Sequence, residues 1–520
     1  MEANLNNEND NEPFEKTKIF FQKIKLSTNS KSLAGFFSSL FIFIFSIFYL
    51  DNKTEHFIFK NHIRNLKDIN FKIEKDENCL SHNEMTNECY SCRTLYNLVD
   101  GLCEPKYSIK AIYITQTENE EVKLINNIFL KYIKEITIND TQISTEKESY
   151  IFPLPGNHTV YILIDISSLN SISYMFRQVN KMTSISFTKK FESQNVKSMI
   201  DFFDTCDSLT SVDFSNFNSN SLTSLNYVFD YCKSLTYVNF SSFNTTNVET
   251  MNYMFKYCPK LTSIDLSSFN TQNLKETQYM FLNCFTLTYL NISSFNTEKL
   301  ENAEGMFFAC KSLTSLNISH FNTKNLKYMK SMFEDCFSLT SLDLSHFDTS
   351  NLYDITYAFR GCSSITSFNL SNFKFKELYD MSGLFMNCTN LKSFDISNFD
   401  TSKVSNMKYL FSDCRSLTSI NISFFKTSRV TNMNYMFYGC QSLVSLNLYN
   451  FDTSNVIDMD HLFCECHSLT SLNISSFNTS KTTSLNAMFS ECYSLTSIKV
   501  AHFETSNVKS FGRLFSNCKK

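Results

Sequence analysis

From Cys206 onward a cysteine recurs every 26 residues, at Cys232, Cys258, Cys284, Cys310, Cys336, Cys362, Cys388, Cys414, Cys440, Cys466, Cys492 and Cys518. A fixed period between about 20 and 50 residues marks a solenoid, propeller or array, because one short unit cannot bury its own apolar face and must stack on the next. A Phe stands three residues before each of these cysteines, from Phe203 to Phe515, and another eleven residues after each of the first twelve, from Phe217 to Phe503. These columns hold 25 of the 53 Phe, so the aromatic excess belongs to the repeat.

Within a repeat, apolar residues fall 3, 6 and 8 places after the Cys, as in Leu261, Ile264 and Leu266, and the last two alternate with polar neighbours as a half-buried strand does. Further on, Val430, Met433, Phe437 and Cys440 occupy offsets that fit one face of a helix. A Thr stands 13 after the Cys in ten of twelve repeats, among them Thr245, Thr349 and Thr453, where an N-cap belongs. Each repeat therefore predicts strand, turn and short helix. Strands about 4.8 Å apart beside helices about 10 Å wide predict an α/β fold, a curved leucine-rich-repeat solenoid with a parallel β-sheet on its concave side.

The phrase C-x-S-L-T-S-L-x-[IL]-S-x-F-[ND]-T-S-x-V-x-x-M-x-x-M-F-x-x-C is nearly complete at 414–440 and 440–466. It resembles the BspA-like leucine-rich-repeat surface proteins, in the 26-residue variant of mycoplasma surface proteins, over residues 172–520, two-thirds of the chain. The resemblance implies a cell-surface location, adhesion or recognition, and no enzyme activity. The leucine-rich consensus carries Asn or Cys where this chain has its second Phe column, so a phenylalanine spine is expected in place of the asparagine ladder. A degenerate first unit at Tyr174-Met175-Phe176, with Val179 in the Cys column and 27 residues to Cys206, reads as a terminal cap. At the other end, Cys518-Lys519-Lys520 brings no capping sequence, so either two lysines suffice or the gene product is truncated.

Ahead of the repeats, residues 32–50 run nineteen positions without a charge, which at about 1.5 Å per residue just spans a hydrocarbon core of roughly 30 Å. They read as a transmembrane signal anchor after a cytoplasmic tail at 1–31; a cleavable signal peptide and a buried soluble helix are the competing readings. The basic residues on the two sides are nearly balanced and barely favour an inside N-terminus. Twelve N-x-[ST] sequons follow the span, including Asn52, Asn139, Asn157, Asn291, Asn421 and Asn473, which would make a glycoprotein if exposed outside. In the juxtamembrane segment 51–103, Cys79, Cys89, Cys92 and Cys103 read as a disulfide knot of an oxidising compartment. Half a zinc site at Cys89-x-x-Cys92 is the alternative, and the spacing leaves all three disulfide pairings open. Residues 104–171 read as a small β-rich lead-in, with a charged amphipathic stretch from Val122 to Ile138 and a run from Thr159 to Ile164 that supplies an edge strand to the first repeat.

Function is bounded by what is missing as well. A net charge of −4 excludes the strong positive field of a nucleic-acid binder, and eight Gly leave no glycine-rich phosphate loop. No catalytic motif, metal site or cofactor is expected: the thirteen column cysteines read as buried free thiols, and His320, His346 and His502 as surface residues bordering the Phe column. A metal site at Cys464 is discounted, because Cys466 belongs to the buried column. The predicted binding surface is the outer sheet face. Seven places after the Cys stand Asp213, Asn239, Asp265, Asn291, Asn317, Asp343, Asn369, Asp395, Asn421, Asn447 and Asn473, interrupted nearby by Tyr237, Tyr289 and Tyr449 as aromatic anchors for a protein or carbohydrate ligand. A receptor-like scaffold and a lattice-binding or ice-binding surface are the alternatives, the latter requiring a flat and regular sheet.

Overall fold

The computed structural model describes residues 79–82, 89–93, 95–99 and 102–518 and divides into two compact units, Met1–Pro105 and Lys106–Lys520. The tail at 1–31, the apolar run at 32–50 and the sequon at Asn52 lie outside the described residues, among which no helix is long and apolar enough to cross a membrane.

In the first unit, Cys79–His82 pairs antiparallel with Cys89–Cys92, and Tyr96–Val99 with Leu102–Pro105. Disulfides join Cys79 to Cys89 and Cys92 to Cys103, the sequential one of the three pairings.

The second unit begins with a sheet that runs straight into the repeats. Ile109–Thr115 is central, antiparallel on one side to Gly156–Ile164 and on the other to Met182–Phe187, the first repeat strand. The strand expected to meet the first repeat, within Gly156–Ile164, is instead one place further in, between Ile109–Thr115 and Ile133–Ile138. Its alternate residues Val160, Ile162 and Ile164 are buried, which an edge strand does not require. The amphipathic stretch resolves into a strand at Glu120–Lys123, a short 3-10 helix at Asn127–Tyr132 capped by Asn126, and a strand at Ile133–Ile138. The extra residue of the first repeat is absorbed between Phe187 and Phe191, and both rings still pack on the next repeat, against Phe214 and Phe217 at 5.5 Å.

From there the chain is a parallel β-solenoid with no helices in its repeats. Where a helix was expected, the backbone makes a chain of tight turns in which two residues per repeat, 21 and 25 after the Cys, have positive φ: Tyr227 and Tyr231, Tyr253 and Tyr257, Tyr409 and Asp413, and so on along the array. This path points alternate N–H groups along the stacking axis. Leu225, Tyr227, Phe229 and Tyr231 donate to the carbonyls of Thr250, Asn252, Met254 and Lys256 in the next repeat, at 2.9 Å each. A parallel bridge column accompanies them, from Ser171 to Asp354 and again from Asp380 to Ser510. The strand side is the less continuous one, with three-residue strands pairing only in groups: Ser211–Asp213 with Tyr237–Asn239, Ser263–Asp265 with Tyr289–Asn291, and Ser445–Asn447 with Ser471–Asn473. The helix-width argument for a concave sheet therefore has no helices to rest on.

The continuous Phe spine runs along the first Phe column and not the second, where it was expected and where only some neighbours stack, as Phe243 on Phe269 at 6.2 Å and Phe373 on Phe399 at 6.1 Å. Rings three before each Cys stack nearly parallel, with centroids 5.3 Å apart for Phe229–Phe255 and 6.0 Å for Phe281–Phe307. Each column thiol donates to the carbonyl of the spine Phe one repeat earlier, as Cys232 to Phe203 and Cys284 to Phe255, and all but the half-buried Cys518 are buried beneath the spine. Burial pushes these thiols up, Cys284 and Cys388 to about 12. The Thr column is buried too, but as a rivet between repeats and not an N-cap: Thr297 Oγ1 donates to the Asn322 carbonyl at 3.1 Å and accepts the Asn322 N–H at 2.7 Å. The asparagine ladder is displaced rather than absent. Asn247, Asn273, Asn325, Asn351, Asn455 and Asn507, all 15 after the Cys, donate their amides to the carbonyl of the preceding repeat.

Two predictions follow from this packing. A thiol reagent at about pH 8, well below the raised thiol range, should label almost no column cysteine in the folded protein, with half-buried Cys518 the first to react, and all thirteen after denaturation. Thr297→Val leaves the Asn322 N–H without its acceptor and should cost about 1–3 kcal/mol locally, read as faster amide exchange at Asn322.

Candidate functional site

The outer sheet face carries the predicted Asx column, and its first role is structural. Each of the eleven residues accepts, through Oδ1, the backbone N–H two residues on, as Asp213 from Ser215 at 2.9 Å, Asn317 from Ser319 at 3.2 Å and Asn447 from Tyr449 at 3.1 Å. This is an Asx turn that ends every strand. The Ser267 N–H holds Asp265 below the usual carboxylate range, the Ser345 hydroxyl and N–H do the same for Asp343, and the Ser397 N–H for Asp395. Neighbouring repeats also pair along the column, where Asn239 donates to Asp213 at 2.9 Å.

Of the three tyrosines, the structure brings two together. Tyr237 and Tyr289 occupy the same strand position in repeats on either side of Ser263, and are 59% and 55% exposed. The small serine between them leaves a recess of about 320 Å³, lined among others by Tyr237, Asn239, Ser241, Ser263, Asp265 and Tyr289. The recess sits at the interruption between the strands Tyr237–Asn239 and Ser263–Asp265, which belong to separate sheets. The interruption coincides with a change in the column eight after the Cys, from Phe214 and Phe240, stacked at 5.8 Å, to Leu266. Tyr449 stands apart, at the Asx turn of a much later repeat, so it is no part of this site.

Most of the other residues singled out in the sequence are occupied in the packing, although His346 keeps a buried Nε2 without a hydrogen-bond partner. His320 and His502 bond to the carbonyls of Ile292 and Ile474 in the preceding repeat at 3.0 and 3.1 Å, which makes them further rungs between repeats. Cys464 is buried; among the described residues the one set of side chains close enough to ligate a metal is Cys79, Cys89 and Cys103, whose sulfurs are in disulfides. The sequons at Asn421 and Asn473 are exposed on the Asx column, whereas the amide nitrogen of Asn139 is engaged by His158 at 3.1 Å and Asn157 lies in a paired strand. The strand interruption was not visible in the sequence; the Tyr-Ser-Tyr alternation at one repeat position was the signal that could have located the recess.

A stacked parallel solenoid with a polar outer face defines a repeat protein of the solenoid class. The chain belongs to the family described as "Mycoplasma protein of unknown function, DUF285", which matches residues 170–289, 283–369, 353–447 and 442–520. No curated protein matches it in sequence. Among solved structures it is similar to a leucine rich cell surface protein from Faecalibacterium prausnitzii, at 18% identity over 60% of this chain and 84% of that one, TM-score 0.37. It is also similar to the functional domain of InlJ from Listeria monocytogenes, described as including a cysteine ladder, at 14% identity over 63% and 72% of the two chains, TM-score 0.18. The Drosophila Toll–Spatzle complex matches at 16% identity over 59% and 48%, TM-score 0.25.

The Asx column generates a pH prediction. Carboxylates held low in the folded state contribute stability at neutral pH that is lost as pH falls toward and below about 4. Asn fills the same turn in other repeats, so the triple variant Asp265→Asn, Asp343→Asn, Asp395→Asn should keep the fold, and its urea midpoint should fall less than the parent's between neutral pH and about pH 3.

Proposed function

We propose that this chain is a single-pass, surface-displayed binding protein, with residues 32–50 as a signal anchor, the N-terminus inside and the repeats outside. It recognises an extracellular partner through the sheet face around Tyr237 and Tyr289, without catalysis. The observation that carries this reading is the recess itself: two well-exposed tyrosines flanking one of the interruptions of the strand ladder. Exposed aromatic side chains with little freedom to lose are favoured anchors in recognition.

Two further features support the placement and the role. Paired disulfides at Cys79–Cys89 and Cys92–Cys103 suit an oxidising exterior. Column thiols buried beneath the Phe spine are safe there from oxidation. A lattice-binding surface would need regular spacing along many repeats, whereas the strands form short separate groups.

The test uses the full chain tagged after Lys520 and expressed on cells. External protease should remove the tag from intact cells, and attachment to partner cells should drop roughly ten-fold in the Tyr237→Ala, Tyr289→Ala double variant. Protection of the tag until the cells are permeabilised would overturn the surface placement. Unchanged attachment in the double variant would overturn the site.

A further inference from the structure

Resting on the surface-binding reading above, we propose that the recess between Tyr237 and Tyr289 is a subsite for a neutral oligosaccharide. Three properties of the recess favour that ligand. The first is its pair of free rings. Among the described residues neither tyrosine packs on another aromatic ring and no cation lies over either, unlike the turn-side tyrosines, where Tyr227 stacks on Tyr253 at 4.7 Å and Lys256 lies 4.7 Å from the Tyr231 ring. Two steps of the stack separate Tyr237 from Tyr289, about 10 Å at ordinary inter-strand spacing. That span holds an extended chain of a few sugar rings, whose C–H faces pack on aromatic rings.

The second property is the polar lining. The lining offers Ser241, Ser263 and Ser267 and the side chains of Asn239 and Asp265, beside the apolar Val238, Phe240 and Ile264, while the Ser268 hydroxyl is already spent on the Phe240 carbonyl at 3.2 Å. Hydroxyl, carboxamide and carboxylate groups complement the donors and acceptors that sugar hydroxyls present in pairs. Asp265 and Asn239 are held in place, Asp265 by the Ser267 N–H at 2.9 Å and Asn239 by its bond to Asp213, so little ordering is required on binding.

The third property is charge. No Lys or Arg lines the recess, and its one group charged at neutral pH is Asp265, held below the usual carboxylate range by the Ser267 N–H. A nucleic acid, a sulfated glycan or a phosphorylated ligand would meet a negative charge with nothing to pair it. A volume of about 320 Å³ lies at the small end of ligand-sized pockets, enough for one or two sugar rings with the rest of the chain running outward. A protein ligand of the usual kind would need a far larger area than this recess offers, about 800 Å² per partner.

The full-length protein, kept in detergent, would be tested on an array of neutral tetrasaccharides of glucose, galactose, mannose and N-acetylglucosamine, with a heparin fragment as the anionic comparison. We expect binding to at least one neutral glycan and not to heparin, weakened about ten-fold or more by Tyr237→Ala or Tyr289→Ala and kept by Tyr237→Phe and Tyr449→Ala. Equal thermal midpoints for Tyr237→Ala and the parent would show that the loss is not unfolding. Absence of binding to every neutral glycan, or binding indifferent to both alanine variants, overturns the inference. The same variants in the cell-attachment test separate the two readings. Attachment lost in the tyrosine variants without any glycan binding points to a protein ligand and leaves the surface-binding reading standing. Attachment and glycan binding both indifferent to the tyrosines remove the site altogether.

Discussion

The hydrogen-bonded column on the turn side is the constraint on which the rest of this solenoid depends. Four N–H groups per repeat, such as those of Thr277, Tyr279, Phe281 and Asn283, must point at the carbonyls of the next repeat. That alternation is possible because residues 21 and 25 after each Cys take positive φ, at about 1–2 kcal/mol each for a side chain with a Cβ. Four bonds at about 0.5–1.5 kcal/mol net offset two such residues, so the turn segment is close to neutral by itself. Stability then has to come from what the column aligns: the Phe spine, the buried Leu and Ile of the strands, and the Thr rivets.

The same column explains why a cysteine marks the period. The position lies directly under the spine Phe carbonyl of the previous repeat, within 2.9 to 3.4 Å of the sulfur along the array. A Leu there would collide with that carbonyl, and a Ser would exchange a weak, polarisable donor for a hydroxyl that costs more to bury. A glycine five residues before the Cys column shows the same closeness. At Gly305, where φ is +57°, an added Cβ would run into the ring of Tyr279 from the preceding repeat, and this is where the stack of turn-side tyrosines stops.

How much of this was legible varies with the physics. The period, the buried columns and the strand were readable from spacing alone, because they depend on which residues face inward. The turn segment was misread as a helix, since apolar offsets of 3, 7 and 10 fit a helical face and a string of tight turns equally. The residue that would have signalled positive φ is mostly missing: glycine fills only Gly305, Gly361, Gly383 and Gly439 of these positions, with Tyr, Asp and Asn in many others. Thr349 looked like an N-cap for the same reason, its bonds being made to Lys374 in the next repeat, which no local pattern reveals. The Asn ladder was sought at the second Phe column and lay a few residues beyond it.

The binding face shows the limit of periodic reasoning from the other side. A column of Asx side chains at one repeat position looked like a ready-made polar surface, yet its oxygens are committed to closing the strands, and Asn239 is further committed to Asp213. What repeats along a solenoid is what the solenoid needs to stack. On the binding reading proposed above, selectivity has to come from where the repetition fails, and one such place on this face is Tyr237, Ser263 and Tyr289, where large, small and large side chains follow one another and the strand ladder opens beside them. Departures from the consensus that leave the core columns untouched are therefore the positions where a chain of this family can carry a specificity of its own.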